Sequence, residues 1–301
     1  MKSLEELLPK EPMAPIATDA LLDGEEWGYQ LKWDGVRILA TLDQGRVSLY
    51  SRKLLNKTSL YPEVVHAVEK LGRRRLLLDG EVVFFDPELS RPVFQKVLQR
   101  ERSRSAGAGA PAFTYVLFDL LIDGSEDLRT LPYVERHQRL KALAPNIPGL
   151  IITDLFQEGA SLWQWAEERG WEGVVMKRLA SPYREGKKHK DWYKKKIAVE
   201  MDASAMALII REGRVASLVL FNEEGHYIGR ASLGLNEQTK ARLLNYAGQH
   251  RAELHPPVLH ADLKKEQLMW LSRPIQVSVT FLEWSQDGLM RHPKLLAIEG
   301  V

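Results

Sequence analysis

The sequence predicts an α+β protein of two domains, and three observations lead there. At 301 residues the chain exceeds what one small core organises and fits two domains of roughly 100–200 residues each. With 45% apolar residues it has the material for packed interiors. Strand-like and helix-like segments alternate up to about residue 197, and the character then changes to strands broken by Glu-Gly turns, so the expected domains are 1–197 and 198–301.

Residues 28–50 alternate apolar and polar positions around Asp34-Gly35 and the Asp-Gln-Gly turn at 43–45, the pattern of strands. "YPEVVHAVEKLG" follows as a helix. Pro62 suits its first turn, Val64, Val65 and Val68 share a side, and Gly72 stops it. "LLLDGEVVFFD" (76–86) reads as strand, turn, strand, and "PVFQKVLQRE" as a short helix. "RSRSAGAGAPA" (102–112) has small residues and no period, so it is expected to be a surface loop. The continuous apolar run "FTYVLFDLL" suits a buried strand. "LPYVERHQRLKAL" and "SLWQWAEERG" are helical, the second with a Ser-x-x-Gln cap pattern and Gly170 past its end. "EGVVMKRL" (172–179) and "DWYKKKIAVEM" (191–201) supply further strands.

Beyond residue 198, about five strands surround the capped helix "NEQTKARLLNYAG", and "PIQVSVTFLEW" is expected to be the last of them. That count fits a small Greek-key barrel of the OB type. No internal repeat is present.

Composition narrows the chemistry. Zero cysteines exclude disulfides and thiolate zinc sites, so any metal sits on oxygen or histidine ligands. No apolar run approaches the roughly 18 residues of a membrane span, and the start lacks a signal-peptide core; a cytoplasmic protein is expected. The net charge of +2 is too small to mark a nucleic-acid binder, but basic residues cluster at 73–75, 100–104 and 184–196. The last run interleaves Tyr183, Trp192 and Tyr193 with its cations, which points to a surface that handles phosphates.

One short stretch has two readings. In "YQLKWDGVRILA", Asp34-Gly35 is a hairpin signal, with Lys32 and Arg37 as solvated strand ends. The spacing K-x-D-G-x-R also resembles the nucleotidyl-accepting motif of ATP-dependent DNA ligases and capping enzymes. Companions follow in the order that family requires: Ser51-Arg52 in "YSRK", Glu81 in "LDGEVVFFD", Phe118 in "LFDLL", Glu172 in "EGVVMK", and Lys194 and Lys196 in "DWYKKK". Each alone has an ordinary structural explanation; together, in order, they do not. "PMAPIA" (12–17) and "LMRHP" (289–293) bring the likeness nearest to the ligase module of bacterial end-joining ligase D. The missing cysteines separate the chain from NAD-dependent bacterial ligases.

The resemblance implies an adenylyltransferase domain of antiparallel sheets and helices followed by an OB barrel. Lys32 would attack the α-phosphate of ATP. An ordinary lysine, with a pKa of about 10.4, is nearly all ammonium at neutral pH, so nearby cations are expected to lower it. Lys194 and Lys196 would clamp the phosphates, both on one strand face, with Lys195 turned away. Glu172 would hold Mg²⁺, with Mn²⁺ as the alternative, and Glu81 would contact the ribose or the metal. Phe118 and Val175 would sandwich adenine and Gln30 would read its edge. Arg37 and Arg52 would hold the ribose or the 5′-phosphate, and Asp34 and Arg291 would serve the DNA. The expected partners are nicked double-stranded DNA and Ku-type end-joining proteins, with the protein itself a monomer. The stretch "RHPKLLAIEGV" departs from the family pattern, which implies slow adenylation by free ATP. An RNA ligase, a capping-type nucleotidyltransferase and a decayed, non-catalytic nucleic-acid-binding relative are the competing readings.

Overall fold

The computed structural model describes residues 2–103, 113–143, 146–186, 189–252, 260–285 and 287–300. The chain forms two compact units, Met1–Ile197 and Ala198–Val301.

The first unit runs β1 (Ile16–Ala17), β2 (Trp27–Leu31), β3 (Val36–Asp43), β4 (Arg46–Ser51), α1 (Pro62–Glu69), β5 (Arg75–Val83), β6 (Phe85–Asp86), β7 (Arg91–Pro92) and α2 (Phe94–Ser103). It continues with β8 (Thr114–Asp123), β9 (Glu126–Asp127), α3 (Tyr133–Leu143), β10 (Leu150–Ile152), α4 (Gly159–Glu168), β11 (Gly173–Arg178) and β12 (Trp192–Lys196). One sheet has the order β1-β12-β11-β2 and the other the order β10-β8-β5-β3-β4, with β9 paired to β8. Pairing is antiparallel except for β1 with β12 and β10 with β8.

Period-two alternation builds the layers. Ile38, Ala40 and Leu42 of β3 and Leu76 and Leu78 of β5 pack with Val64 and Val68 of α1 on the outer face of the larger sheet. Their strand neighbours Leu39 and Leu77 turn inward and meet Tyr183 and Trp192. Trp27 and Tyr29 of β2 and Val174 and Met176 of β11 pack with Leu162 of α4 on the outer face of the smaller sheet.

The second unit runs β13 (Val199–Arg211), β14 (Arg214–Phe221), β15 (Tyr227–Ala231), α5 (Glu237–Gln249), β16 (Gln267–Phe281), β17 (Glu283–Trp284), β18 (Met290–Arg291) and β19 (Lys294–Ile298). Its main sheet is an antiparallel five-stranded one of order β15-β14-β13-β16-β19. Asn236 caps α5, its side chain accepting from the Thr239 amide at 2.7 Å. The fold is therefore a nucleotidyltransferase-type α+β unit followed by an OB-type one. Among the described residues no helix is long and apolar enough to cross a membrane.

Several local expectations fail for physical reasons. Asp34-Gly35 is not a hairpin turn, because β2 and β3 belong to different sheets. Asp79-Gly80 is not a turn either: β5 continues through it, with an irregularity there in its pairing with β8. Gly80 is there because a Cβ would lie 2.5 Å from the Val116 carbonyl and 2.6 Å from the Tyr115 ring. Ser161 does not cap α4, which begins earlier, after Glu158, where Gly159 fits against the Tyr29 ring. The 191–201 stretch is two strands, β12 and β13, and β16 is followed by further short strands instead of closing the pattern. Arg102 and Ser103, expected to open a loop, end α2 instead, and the rest of that expected loop, 104–112, lies outside the described residues.

Candidate active site

The inner faces of the two sheets of the first unit enclose a cavity of about 550 Å³, within the usual range for a nucleotide-sized ligand. The alternation that buries one set of side chains delivers the other set here. Gln30 of β2, Val175 and Lys177 of β11, and Trp192 and Lys194 of β12 line it from one sheet. Arg37 of β3, Glu81 of β5 and Phe118 of β8 line it from the other, and Arg52 stands just past β4. Ala14, Pro15, Ile16 and Ala17 complete the wall, because β1 pairs with β12, Ala17 against Lys194. Lys195 points the other way, its ammonium 3.5 Å from the centroid of the Trp163 ring.

Lys32 lines the cavity one residue past the end of β2, its amide donating to the Gly173 carbonyl at 2.9 Å. Its ammonium donates to Glu172 Oε2, while Lys196 pairs with Glu172 Oε1 at 2.6 Å. One carboxylate thus bridges two lysines. Gly173, at φ +136°, keeps Glu172 beside β12: a Cβ there would sit 2.1 Å from the Lys195 carbonyl. The expectation that cations lower the pKa of Lys32 is corrected. Burial works in that direction, but the carboxylates of Glu172, Glu81 and Asp34 outweigh it and hold the ammonium above its ordinary value. Glu81 is pushed up to about 8 by burial, with Lys32 and Arg37 opposing and Glu172 and Asp34 adding to the rise.

Arg37, expected with Arg52 to hold the ribose or the 5′-phosphate, lines the cavity with its guanidinium already engaged. Its fork is taken by Asp79, with Nε to Oδ1 at 2.9 Å and Nη2 to Oδ2 at 2.6 Å, and Nη1 donates to the Met13 carbonyl at 2.6 Å. Asp79 is fully buried and also accepts from the Tyr183 hydroxyl at 2.8 Å. Arg37 contributes a fixed positive wall. Arg52 is more open and sits 3.7 Å from Glu11. Of the aromatics of the basic run, Tyr183 and Trp192 are buried, 6.0 Å apart and edge-on, with Trp192 on the cavity wall, and Tyr193 is half-buried.

At the apolar end, Phe118 and Val175 face the cavity with Gln30, whose buried Nε2 has no hydrogen-bond partner among the described residues. A ligand with an acceptor would satisfy it. Asp34 is half-buried and acts electrostatically on Lys32 and Glu81. Arg291 lies on β18 in the second unit. Among the described residues no group of three or more His, Asp or Glu side chains forms a metal site by itself. Two carboxyls close enough to influence each other do fit Mg²⁺, which takes one or two carboxylates and fills its shell with phosphate oxygens and water.

The sequence reading missed several residues that form the site. Lys177, two positions beyond Val175 on the same strand face, was recoverable from alternation alone. It is buried over Phe118, Tyr133 and Trp192, 4.1 Å from the last ring centroid, and burial lowers it to about 7. Asp79 and Thr153 carried no sequence signal, since each acts through a tertiary contact.

Comparison with known proteins follows from this geometry. Residues 10–196 match the family model described as "ATP dependent DNA ligase domain". The chain is 32% identical over 307 residues to a DNA ligase of Halobacterium salinarum, covering 95% of this chain and 54% of that protein. It is 30% identical over 291 residues to the multifunctional non-homologous end joining protein LigD of Mycobacterium bovis, covering 93% of this chain and 37% of that one. It thus spans about half or less of these relatives' lengths. A solved structure described as mycobacterial DNA ligase D complexed with ATP and MES superposes with a TM-score of 0.58 at 27% identity, covering 96% of this chain and 94% of the other. A cavity with a motif-borne lysine, a bridging glutamate and paired strand lysines, found in a chain so matched, leads to one conclusion: the chain belongs to the ATP-dependent DNA ligase family.

Proposed function

We propose that this protein seals nicks in double-stranded DNA through a lysyl-adenylate formed on Lys32. The observation that carries the reading is Glu172, whose two oxygens hold Lys196 and Lys32, and Lys32 lines the cavity together with Phe118, Val175 and Gln30. Lys32 must shed a proton to attack phosphorus, and Glu172, in direct contact, is the group placed to take it. The freed amine of Lys32 bonds to the α-phosphorus of ATP as the bond to pyrophosphate breaks. Lys194 and Lys196 offset the negative charge that builds on the phosphoryl oxygens. Phe118 and Val175 hold the adenine between them, and the Gln30 amide meets its edge.

A 5′-phosphate at the nick then displaces Lys32 from the adenylate, and the adjacent 3′-hydroxyl displaces AMP to join the strand. Arg52, half-exposed at the cavity mouth, receives the ribose or the 5′-phosphate, with Asp34 near the 3′ end and Arg291 on the DNA backbone. Glu81 and Glu172 would hold Mg²⁺, or Mn²⁺, which supplies charge neutralisation at the phosphates when bound. The likeness to end-joining ligases supports DNA repair as the setting; the proposal adds a monomer in the cytoplasm as the acting form and Ku-type proteins as partners.

Intact-mass measurement after mixing with ATP and Mg²⁺ tests the central step. The expected result is a gain of one AMP that is absent in Lys32→Ala, with sealing of nicked DNA lost in parallel. Uptake of AMP by Lys32→Ala overturns the reading. Uptake of GMP from GTP in preference to AMP, or sealing of nicked RNA alone, would favour the capping-type or RNA-ligase alternative.

A further inference from the structure

Lys32 stands on a loop. β2 ends at Leu31 and β3 begins at Val36, in a different sheet, so residues 32–35 are held by neither ladder beyond the single bond from the Lys32 amide to Gly173. Connecting segments are mobile unless tied down, whereas covalent catalysis needs its nucleophile placed to within about 0.5 Å.

The residue after the nucleophile supplies a tie. Trp33 donates from its indole Nε1 to Thr153 Oγ1 at 3.2 Å. Thr153 is itself immobilised, its amide donating to the Leu117 carbonyl at 3.0 Å and its carbonyl lying 2.8 Å from His137 Nε2. The same indole packs edge-on against Trp171, with centroids 4.9 Å apart and planes at 79°. Trp171 is the residue before Glu172, and its amide is anchored to the Ala166 carbonyl at 2.9 Å. The two ends of the Lys32–Glu172 contact are therefore each followed or preceded by an indole, and the two indoles touch.

We infer that Trp33, pinned by Thr153 and braced on Trp171, is a positioning residue that holds Lys32 against Glu172 for adenylate transfer. It forms no bond with the nucleotide in this role and acts through Lys32. The inference rests on the lysyl-adenylate reading. The consequence is specific to one step: formation of lysyl-AMP needs Lys32 in place, whereas joining a nick that already carries AMP on its 5′-phosphate forms no bond to Lys32.

The test uses the full chain and two readouts, single-turnover AMP transfer from ATP and sealing of a pre-adenylated nick. Thr153→Val removes the acceptor, and Trp33→Phe removes the donor while keeping a ring against Trp171. Each is expected to slow AMP transfer roughly 10- to 100-fold, the scale of a sub-ångström to 1 Å misplacement, with ATP affinity and pre-adenylated sealing near the parent's. The double variant should be no slower than the slower single, because both remove one bond. Thr153→Ser, which keeps the hydroxyl, should restore the rate. Transfer at the parental rate in Thr153→Val, or equal loss of both readouts in both single variants, overturns the inference. Failure of the lysyl-adenylate reading would show separately, as AMP uptake by Lys32→Ala.

Discussion

Arg37 and Asp79 are joined by two parallel hydrogen bonds of 2.9 and 2.6 Å across the inner faces of β3 and β5. Asp79 is fully buried and Arg37 nearly so, which makes this pair part of the scaffold of the cavity. Truncating one partner strands the other charge in a low-dielectric interior. Asp79→Ala is expected to cost about 3–5 kcal/mol of unfolding free energy, measured by urea denaturation. A loss under about 1 kcal/mol would show that the pair is not structural.

Glu172 holds the proton of Lys32 in place, so its removal should change the pH dependence of adenylation more tellingly than its rate. With that carboxylate gone, burial is opposed only by Glu81 and Asp34, and the balance pulls the lysine pKa down. Glu172→Gln is therefore expected to move the rising limb of AMP transfer to lower pH while lowering the plateau. A limb that stays put or moves up would contradict the assignment of Glu172 as the group that holds and takes the proton.

Lys177 gives a stability prediction with a definite sign. Its pKa is lowered to about 7 in the fold, so between pH 7 and about 10.5 the unfolded chain binds the additional proton and stability rises with pH. Below pH 7 the buried ammonium imposes its full cost. Lys177→Met should raise the Tm by a few degrees at pH 6, and the gain should fade toward pH 10. Scanning calorimetry across that range checks it, and a gain independent of pH would mean packing alone is responsible.

The three lysines of β12 should separate by parity. Lys194 faces the cavity, Lys196 pairs with Glu172, and Lys195 lies over Trp163 on the far side of the sheet. Lys194→Ala is expected to slow AMP transfer about 100-fold or more, as loss of one transition-state donor does. Lys195→Ala should leave the rate within about twofold and cost only about 0.5–1 kcal/mol of stability. Comparable rate losses in both would place the strand in the wrong register.

Gly80 offers a test of why the second Asp-Gly is not a turn. Gly80→Ala drives a methyl into the Val116 carbonyl and the Tyr115 ring, so β5 and β8 must part. The expected loss is roughly 1–3 kcal/mol in chemical denaturation, the usual scale of overpacking.

The Asp-Gly pairs show where local reading runs out. At 34–35 and 79–80 the same dipeptide has turn chemistry by composition, yet one lies between two sheets and the other lies inside a strand. Turn propensity is local, while the need for a missing Cβ beside Tyr115 exists only after β8 has docked. Lys32, Glu81, Phe118, Glu172 and Lys194 were legible because each sits in a short motif or at a strand position whose parity is fixed by sequence. Asp79 and Thr153 were not, because their partners, Arg37 and Trp33, lie 42 and 120 positions away.

By itself the sequence determined the α+β class, most of the helices and strands, and which faces of those strands are inward. Those properties follow from periodicity and from the order of short motifs. Tertiary structure alone decided the charge states. Whether Lys32 gains or loses affinity for its proton depends on the balance between burial and the carboxylates of Glu172, Glu81 and Asp34. That balance is a matter of distance and dielectric, and neither exists until the two sheets of the first unit close on the cavity.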